Sequence, residues 1–242
     1  MVHIWVRTDV PWEDEAAFAA QIPERMRPLV DLWNATFALP YHRFRAELRD
    51  IARESLAAVA GATVSEWDAI PAGALVLPVD DDDWFAPDAA TVLSRERAAG
   101  DEGLRWTSTF LEVDIDLAHT LSKNVRRALP GVGQKWICTT NNYAVVKADG
   151  ARTLCASHVA ASRWVERDAP VRALERRLSV MNRTLASQTS LRRHRSPIDR
   201  PGLLRKRARY EALYERWERP PEDLAWTRPH VARMRALMAR LG

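Results

Sequence analysis

The sequence lacks the features that mark membrane, secreted and disulfide-rich proteins. Its 242 residues contain no run of the roughly 18 to 20 apolar residues that a membrane-spanning helix needs. The N-terminal segment shows no basic stretch followed by an apolar one, so we expect no secretory signal. The two cysteines are too few for a disulfide framework, and their spacing is not that of a zinc site. We therefore expect reduced thiols and a cytoplasmic protein.

Lysine is also scarce, because only four of the 36 basic residues are lysines. The charge is unevenly distributed. Residues 1–120 contain 10 basic and 22 acidic residues, whereas residues 121–242 contain 26 basic and 10 acidic residues. A partner that carries both a cation and an anionic group would suit both halves. A nucleic acid would suit only the second half, which has no RNP, KH or zinc signature, so we expect no nucleic-acid partner.

Short apolar runs alternate with segments of helical periodicity, and this order predicts an α/β fold. We predict a single domain over residues 1–185, followed by a basic loop and a helical extension over residues 186–242. The extension is rich in arginine. The predicted strands are His3–Asp9, Gly73–Val79, Leu104–Val113 and Lys135–Lys147. The predicted helices are Trp12–Trp33 with breaks at its prolines, Tyr41–Ala60, Asp88–Ala99, Trp164–Leu178 with an interruption near Pro170, Leu203–Trp217 and Pro229–Leu241.

The segment LVLPVDDDDWFAPD, residues 75–88, places four aspartates directly after an apolar run. Ligands of open α/β sheets bind outside the carboxyl ends of the strands, which is where these acids fall. Mg²⁺ takes one or two carboxylates and completes its shell with water and substrate phosphates. Two Asp-x-Asp pairs overlap here, Asp80 with Asp82 and Asp81 with Asp83. The pattern favours a divalent cation that holds a diphosphate, and the alternative is a solvated acidic loop.

The segment LPVDDDDWFAP, residues 77–87, resembles the metal-binding motif of family-2-like GT-A glycosyltransferases. The shared pattern is an apolar strand, Asp-x-Asp-Asp, a few aromatic or apolar residues, and then proline with an acid. Asp80, Asp82 and Asp83 match the three acids, and Asp81 stands at the variable position. The resemblance implies a GT-A-like, Rossmann-like mixed sheet flanked by helices. It also implies acids that hold Mg²⁺ or Mn²⁺ and touch the ribose of a nucleotide-sugar.

The same resemblance implies roles for residues elsewhere. Asp82 is the expected direct metal ligand, with Asp80 beside it, and His158 corresponds to the late histidine that some GT-A enzymes add to the metal site. A lone histidine is also commonly a structural residue, and that alternative stays open. Asp81 and Asp83 of the motif are expected to contact the nucleotide-sugar. Arg7 and Asp9 are expected to do so because of their position at the end of the first strand, not because of a motif.

An inverting transferase needs a base that deprotonates the acceptor hydroxyl. The family usually places this base in the second half of the chain, at the start of a helix. There the segment RWVERD offers Glu166 and Asp168. Three rivals in the segment FLEVDID stay open, and these are Glu112, Asp114 and Asp116.

Arginines of the second half are candidates for binding the diphosphate. Arg163 could pair with it in a bidentate way, and so could Arg193 in the segment SQTSLRRHRSP, with Arg192 and Arg195 as alternatives. That segment is interpreted as a loop that closes over phosphates, although a plain surface loop fits it equally well.

Two further residue types are ambiguous. Asn141 and Asn142 could hydrogen-bond sugar hydroxyls or form a tight turn. Four tryptophans near the candidate site could stack on a sugar or pack in the core, which is the more frequent use of tryptophan. These are Trp84, Trp106, Trp136 and Trp164.

The leading hypothesis is an enzyme, a metal-dependent glycosyltransferase. It would move a sugar from a nucleoside-diphosphate sugar to a hydroxyl of a glycan or small-molecule acceptor. One alternative is another divalent-metal phosphoryl enzyme, either a phosphohydrolase or a nucleotidyltransferase. The other is a non-enzymatic, Arg-rich module that binds nucleic acid. The basic C-terminal half also offers a surface for peripheral membrane contact.

Overall fold

The structure, a computed structural model, describes residues 1–7, 10–111, 138–139, 141–167, 170–187 and 198–242. Within these residues the chain forms two compact units. The first unit contains residues 1–7, 53–110 and the described part of 138–181. The second contains residues 10–52, residue 111 and the described part of 182–242. The expected division of the chain after residue 185 stays a prediction.

Strands and helices alternate along much of the described chain, as expected for an α/β fold. The strands are β1 (Val2–Val6), β2 (Ala62–Val64), β3 (Leu75–Val79), β4 (Trp84–Phe85), β5 (Gly103–Arg105), β6 (Ser108–Leu111), β7 (Tyr143–Val146), β8 (Val171–Ala173) and β9 (Ser179–Asn182). The helices are α1 (Glu15–Gln21), α2 (Arg27–Asn34), α3 (Tyr41–Ala57), α4 (Ala89–Glu96), α5 (Ala151–Ala156), α6 (His158–Glu166), α7 (Arg200–Arg216) and α8 (Arg228–Ala239). Short 3₁₀ turns cover Glu24–Met26, Trp67–Ala69 and Glu222–Thr227.

Side-chain caps explain where several helices begin. The Asp14 carboxylate accepts a hydrogen bond of 3.0 Å from the Ala17 N–H at the start of α1. Asp199 does the same for the Gly202 N–H at the start of α7, at 2.7 Å. Ser157 caps α6. Each cap satisfies a backbone donor that has no partner inside its own helix.

A mixed sheet of six strands forms the centre of the first unit, in the order β2-β1-β3-β7-β5-β8. The strand β1 is parallel to β2 and β3, and β5 is parallel to β8. The strand β7 is antiparallel to both of its neighbours, β3 and β5. A smaller sheet has the order β4-β9-β6. Because β1 and β3 are parallel neighbours, their carboxyl ends lie side by side at one edge of the larger sheet.

The core of the first unit surrounds β3, whose five residues are all buried. Such complete burial is typical of a strand that is covered on both faces. One apolar cluster joins Val76 of β3 to Val145 of β7, and it includes the thiols of Cys138 and Cys155. Both cysteines are free, and burial raises the pKa of each thiol to about 12.

Several predicted elements are confirmed. The apolar run before the aspartates forms β3, and the helices predicted at residues 41–60, 203–217 and 229–241 correspond to α3, α7 and α8. The predicted helix over residues 12–33 is broken after Gln21, next to Pro23. Pro28 does not kink a helix but lies in the first turn of α2. Backbone N–H groups in the first turn have no partner within the helix, so the missing N–H of proline costs no hydrogen bond there.

The single strand predicted over Leu104–Val113 is wrong. The chain forms β5 in the larger sheet and then β6 in the smaller one, and Trp106 lies between them. The Trp106 N–H donates to the Asn142 carbonyl at 2.9 Å, and its indole N–H donates to the Ser179 hydroxyl at 2.9 Å. These bonds hold the point where the chain leaves one sheet for the other. Residues 112 and 113 lie outside the described part.

The helix predicted over Trp164–Leu178, with an interruption near Pro170, is confirmed only up to Glu166, and its part after the proline is wrong. The helix α6 begins earlier, at His158, and ends at Glu166. After Pro170 the chain becomes β8, which pairs with β5 so that Val171 lies opposite Gly103. The Glu102 N–H donates to the Pro170 carbonyl at 2.9 Å. Proline cannot continue a helix, and the free edge of β5 offers the following residues a partner.

The buried thiols predict how the stability depends on pH. A thiol with a folded pKa of about 12 ionises in the unfolded chain first, because an unperturbed thiol has a pKa of about 8.5. The contribution of each protonated thiol to the free energy of unfolding is complete below pH 8.5. This contribution is lost as the pH rises towards 12, by about 1.4 kcal/mol per pH unit for each thiol. We expect the free energy of unfolding, measured by urea denaturation, to fall between pH 8 and pH 10.

The control is the variant with both Cys138→Ala and Cys155→Ala, which removes the thiols. Its unfolding free energy is expected to be lower at pH 8 but to decrease less steeply with pH than that of the wild type. Equal slopes for the two proteins would contradict the assignment of this pH dependence to the thiols.

Candidate functional site

The four aspartates form a tight turn, Asp80–Asp83, which we call the aspartate turn. The Asp83 N–H donates to the Asp80 carbonyl at 3.3 Å, and the turn joins β3 to β4. On its far side, Ser55 of α3 holds β4: its hydroxyl lies 3.2 Å from both the N–H and the carbonyl oxygen of Phe85. The turn is thus fixed between a buried strand and a buried two-residue strand.

Burial divides the four acids into two pairs. Asp81 and Asp83 are buried, with 4% and 1% of their surface exposed. Asp80 and Asp82 are half-buried. These sets are the two Asp-x-Asp pairs of the sequence. The pair Asp80 and Asp82 is therefore the one with surface open to a ligand, as expected for the predicted metal ligands.

Arg7, the residue that follows β1, forms an ion pair with Asp80. In the parallel register of β1 and β3, Val6 lies opposite Val79, so the next residues on each strand are neighbours. The Arg7 N–H donates to the Val79 carbonyl at 2.9 Å, and the Nη2 of Arg7 donates to Oδ1 of Asp80 at 2.7 Å. Only 9% of the Arg7 side chain is exposed, against 34% for Asp80.

The protein environment keeps Arg7 charged. Burial alone would lower the pKa of Arg7, but the charge and hydrogen bond of Asp80, together with the charge of Asp83, raise it above its ordinary value. A charge-assisted hydrogen bond of this kind is roughly twice as strong as a neutral one. Arg7 therefore supplies a fixed positive charge beside the aspartate turn.

Arg7 also connects the aspartate turn to the corner between α5 and α6. Its Nη1 donates to the Cys155 carbonyl at 3.3 Å, close to the end of α5. The Tyr143 hydroxyl donates to the Leu154 carbonyl at 2.9 Å, and burial raises the pKa of Tyr143 well above its ordinary value, so this donor stays protonated. The Arg7 guanidinium and the Tyr143 hydroxyl thus donate hydrogen bonds to carbonyls at the end of α5, where helix carbonyls have no partner within the helix itself.

His158 lies at this corner, because it is the first residue of α6, three positions after Cys155. It is partly buried. Arg163 and Glu166 are exposed on the same helix. Glu166 is eight residues beyond His158, about 12 Å along the axis at 1.5 Å per residue. The expectation that Glu166 starts a helix is wrong, because Ser157 caps α6 and Glu166 ends it.

Several predicted site residues lie outside the described part of the chain, and their roles stay predictions. They are Asp9, Asp168 and Arg193, with the alternatives Glu112, Asp114, Asp116, Arg192 and Arg195.

The asparagines and two of the tryptophans serve the fold. Asn141 and Asn142 are buried and donate through their side-chain amides to the carbonyls of Val180 and Trp106, at 2.8 and 2.9 Å. Trp84 and Trp106 are buried in the core. Trp164 is half-buried, and Trp136 lies outside the described residues.

The carboxylates of the aspartate turn do not form a closed metal cage. Within the described ranges, no group of three or more His, Cys, Asp and Glu side chains is arranged to hold a metal ion. Mg²⁺ does not require such a group when a substrate diphosphate completes its shell. Asp82 and Asp80 offer partly exposed carboxylates for this arrangement, although one oxygen of Asp80 already accepts from Arg7.

Comparison with known proteins leaves the family of this chain open. No model of a known protein family matches it, and no curated protein matches it either. Among the described helices, none combines the length and the apolar character needed to cross a membrane.

The Arg7–Asp80 pair leads to a stability prediction. Replacing Arg7 with Met leaves a carboxylate and the Cys155 carbonyl without their shared donor, so we expect a loss of about 1–3 kcal/mol in the free energy of unfolding. The matched control is Arg95→Met, because the ion pair of Arg95 with Glu96 is exposed and should contribute under about 1 kcal/mol.

Urea denaturation measures both variants. Equal losses for Arg7→Met and Arg95→Met would contradict the structural role of Arg7. A double-mutant cycle with Asp80→Asn isolates the pair itself, for which we expect a coupling energy of at least about 0.5 kcal/mol.

Proposed function

We propose that this chain is a metal-dependent glycosyltransferase that moves a sugar from a nucleoside-diphosphate sugar to an acceptor hydroxyl. The observation that carries the proposal is the aspartate turn at the carboxyl end of β3, with one Asp-x-Asp pair buried and the other partly exposed. The strands β1 and β3 are parallel, and ligands of such sheets bind at this edge. The mixed sheet flanked by helices is compatible with the GT-A-like fold that the motif resembles.

Asp82 and Asp80 are the residues that would hold Mg²⁺ or Mn²⁺. When bound there, the metal would neutralise the charge of the departing nucleoside diphosphate. The fixed charge of Arg7 keeps Asp80 in one orientation, so the carboxylate does not have to be ordered when the ligand arrives. Asp81 and Asp83 remain assigned to the nucleotide-sugar, with little of their surface exposed in the free protein.

The remaining roles follow the same proposal. His158 would add a ligand from the corner that Arg7 connects to the aspartate turn. Arg163 and Arg193 would bind the diphosphate, and Glu166 or Asp168 would deprotonate the acceptor. The acceptor is a hydroxyl of a glycan or small molecule, and the reaction is assigned to the cytoplasm.

Metal-dependent binding of a nucleotide tests this proposal. We expect UDP, GDP or dTDP to raise the melting temperature of the wild type in the presence of Mn²⁺ but not in EDTA. At a ligand concentration of 100 times Kd the stabilisation is about 2.7 kcal/mol. Asp82→Asn should abolish the shift, because it removes the charge with almost no change in volume.

The matched control is Asp149→Asn, an exposed aspartate in the turn after β7, at the opposite edge of the sheet. This variant should keep the full shift. The proposal is wrong if no nucleotide stabilises the wild type with Mn²⁺, or if Asp82→Asn responds like the wild type.

A product assay separates the proposed function from the two alternatives. With Mn²⁺ and a panel of UDP-, GDP- and dTDP-sugars, a glycosyltransferase releases the nucleoside diphosphate, through slow transfer to water when no acceptor is present. A phosphohydrolase instead cleaves the diphosphate bond with water and releases a nucleoside monophosphate and a sugar phosphate, and a nucleotidyltransferase transfers the nucleotidyl group and releases the sugar phosphate. A nucleic-acid-binding module releases none of these and binds oligonucleotides with a steep salt dependence.

A further inference from the structure

The second unit contains a pocket of about 170 Å³ beside the first helix. An apolar cavity of about 150 Å³ is large enough to bind benzene or xenon. This pocket is independent of the aspartate turn, and nothing in the proposed function uses it. The described residues that line it include Trp12, Phe18, Gln21, Ile22, Met26 and Tyr41.

Three aromatic rings form one wall of the pocket. The ring centroids of Trp12 and Phe18 are 5.3 Å apart, and those of Phe18 and Tyr41 are 6.0 Å apart in a stacked arrangement. Trp12 and Tyr41 are 6.4 Å apart. All three residues are buried. Each ring supports the other two, so this wall cannot collapse into the empty volume without losing aromatic contacts.

The chain that follows α1 also lines the pocket. Pro23 separates α1 from the 3₁₀ turn Glu24–Met26, so Ile22 and Met26 approach the pocket from two separate elements. Met26 is buried, whereas Ile22 is half-buried. The pocket is partly open to solvent, because Gln21 and Pro23 are exposed, so a ligand can enter it.

The side chains in and around the pocket indicate that its occupant is uncharged. The Tyr41 hydroxyl already donates to the Ala186 carbonyl at 2.7 Å. The Arg45 guanidinium lies over the Trp12 ring, 4.8 Å from its centroid. Aromatic cages bind cations through the faces of their rings, but here a buried arginine already occupies one such face. None of the described side chains that line the pocket carries a formal charge, so the pocket suits a neutral group.

We propose that this pocket binds one neutral aromatic ring, between benzene and indole in size, as a free molecule or as the aryl group of a larger one. A flat ring fits the volume and can pack against Trp12 and Phe18. Gln21, which is exposed, provides a polar side chain for a substituent on that ring.

Methionine methyl groups provide a direct test in the wild-type protein. The chain has five methionines, and of these only Met26 is among the described residues that line the pocket. We expect toluene to shift the ¹³C-methyl NMR signal of Met26 through the ring current and to leave Met1, Met181, Met234 and Met238 unchanged. Met26→Leu assigns the signal. If the Met26 signal does not move, or if all five move together, the proposal is wrong.

A filled pocket is the second test. Ile22→Trp should remove the thermal stabilisation that toluene gives to the wild type. Leu204→Trp adds the same side chain at an exposed position of α7 and should keep it. If Ile22→Trp fails to fold, the methyl NMR measurement still decides the question. Equal stabilisation of Ile22→Trp and the wild type would overturn the proposal.

Charge selectivity is the third test. Benzylammonium has the shape of toluene with an added cation. We expect it to bind at least about 10-fold more weakly, because none of the described side chains that line the pocket offers a charge to replace the water that the cation loses. Equal affinity of the wild type for the two probes would contradict the proposal of a neutral occupant.

Discussion

The parallel pairing of β1 with β3 is the constraint on which the candidate site depends. Its register places Arg7 beside Asp80, although the two residues are 73 positions apart in the sequence. Four adjacent carboxylates would repel one another in an isolated segment. Here one of them meets a buried arginine, two are enclosed by the protein, and one stays partly exposed. The sheet therefore turns a run of like charges into four residues with different surroundings.

Local patterns predicted those elements whose residues carry a clear periodicity or apolar run. The strand β3 follows from the apolar run Gly73–Val79, and α3, α7 and α8 follow from helical spacing. The strand β8 does not, because its three residues are mostly exposed and read Val-Arg-Ala. It becomes a strand only because β5 has a free edge. Tertiary pairing of this kind is invisible in a window of ten residues.

The candidate site likewise combines features that the sequence predicts with features that only the fold reveals. The aspartates and their position at the end of a strand were readable from the sequence, and the role of Asp82 as a metal ligand stays a prediction. The contact of Arg7 with the Cys155 carbonyl was not readable, because its partners are separated by 148 residues and one of them is a backbone oxygen. Arg7 was expected to face the nucleotide, whereas in the folded protein it is bound to Asp80.

The late position of β7 in the chain affects how the sheet assembles. This strand lies between β3 and β5, yet it follows both of them in the chain. Until residues 143–146 have been synthesised, β3 and β5 have no strand to connect them, and each exposes an unpaired edge on that side. Unpaired edges are templates for pairing with other chains. The last insertion also joins residues far apart in sequence, which slows folding. The growing chain thus exposes its most apolar strand, β3, for the time that the 67 residues from 80 to 146 take to emerge.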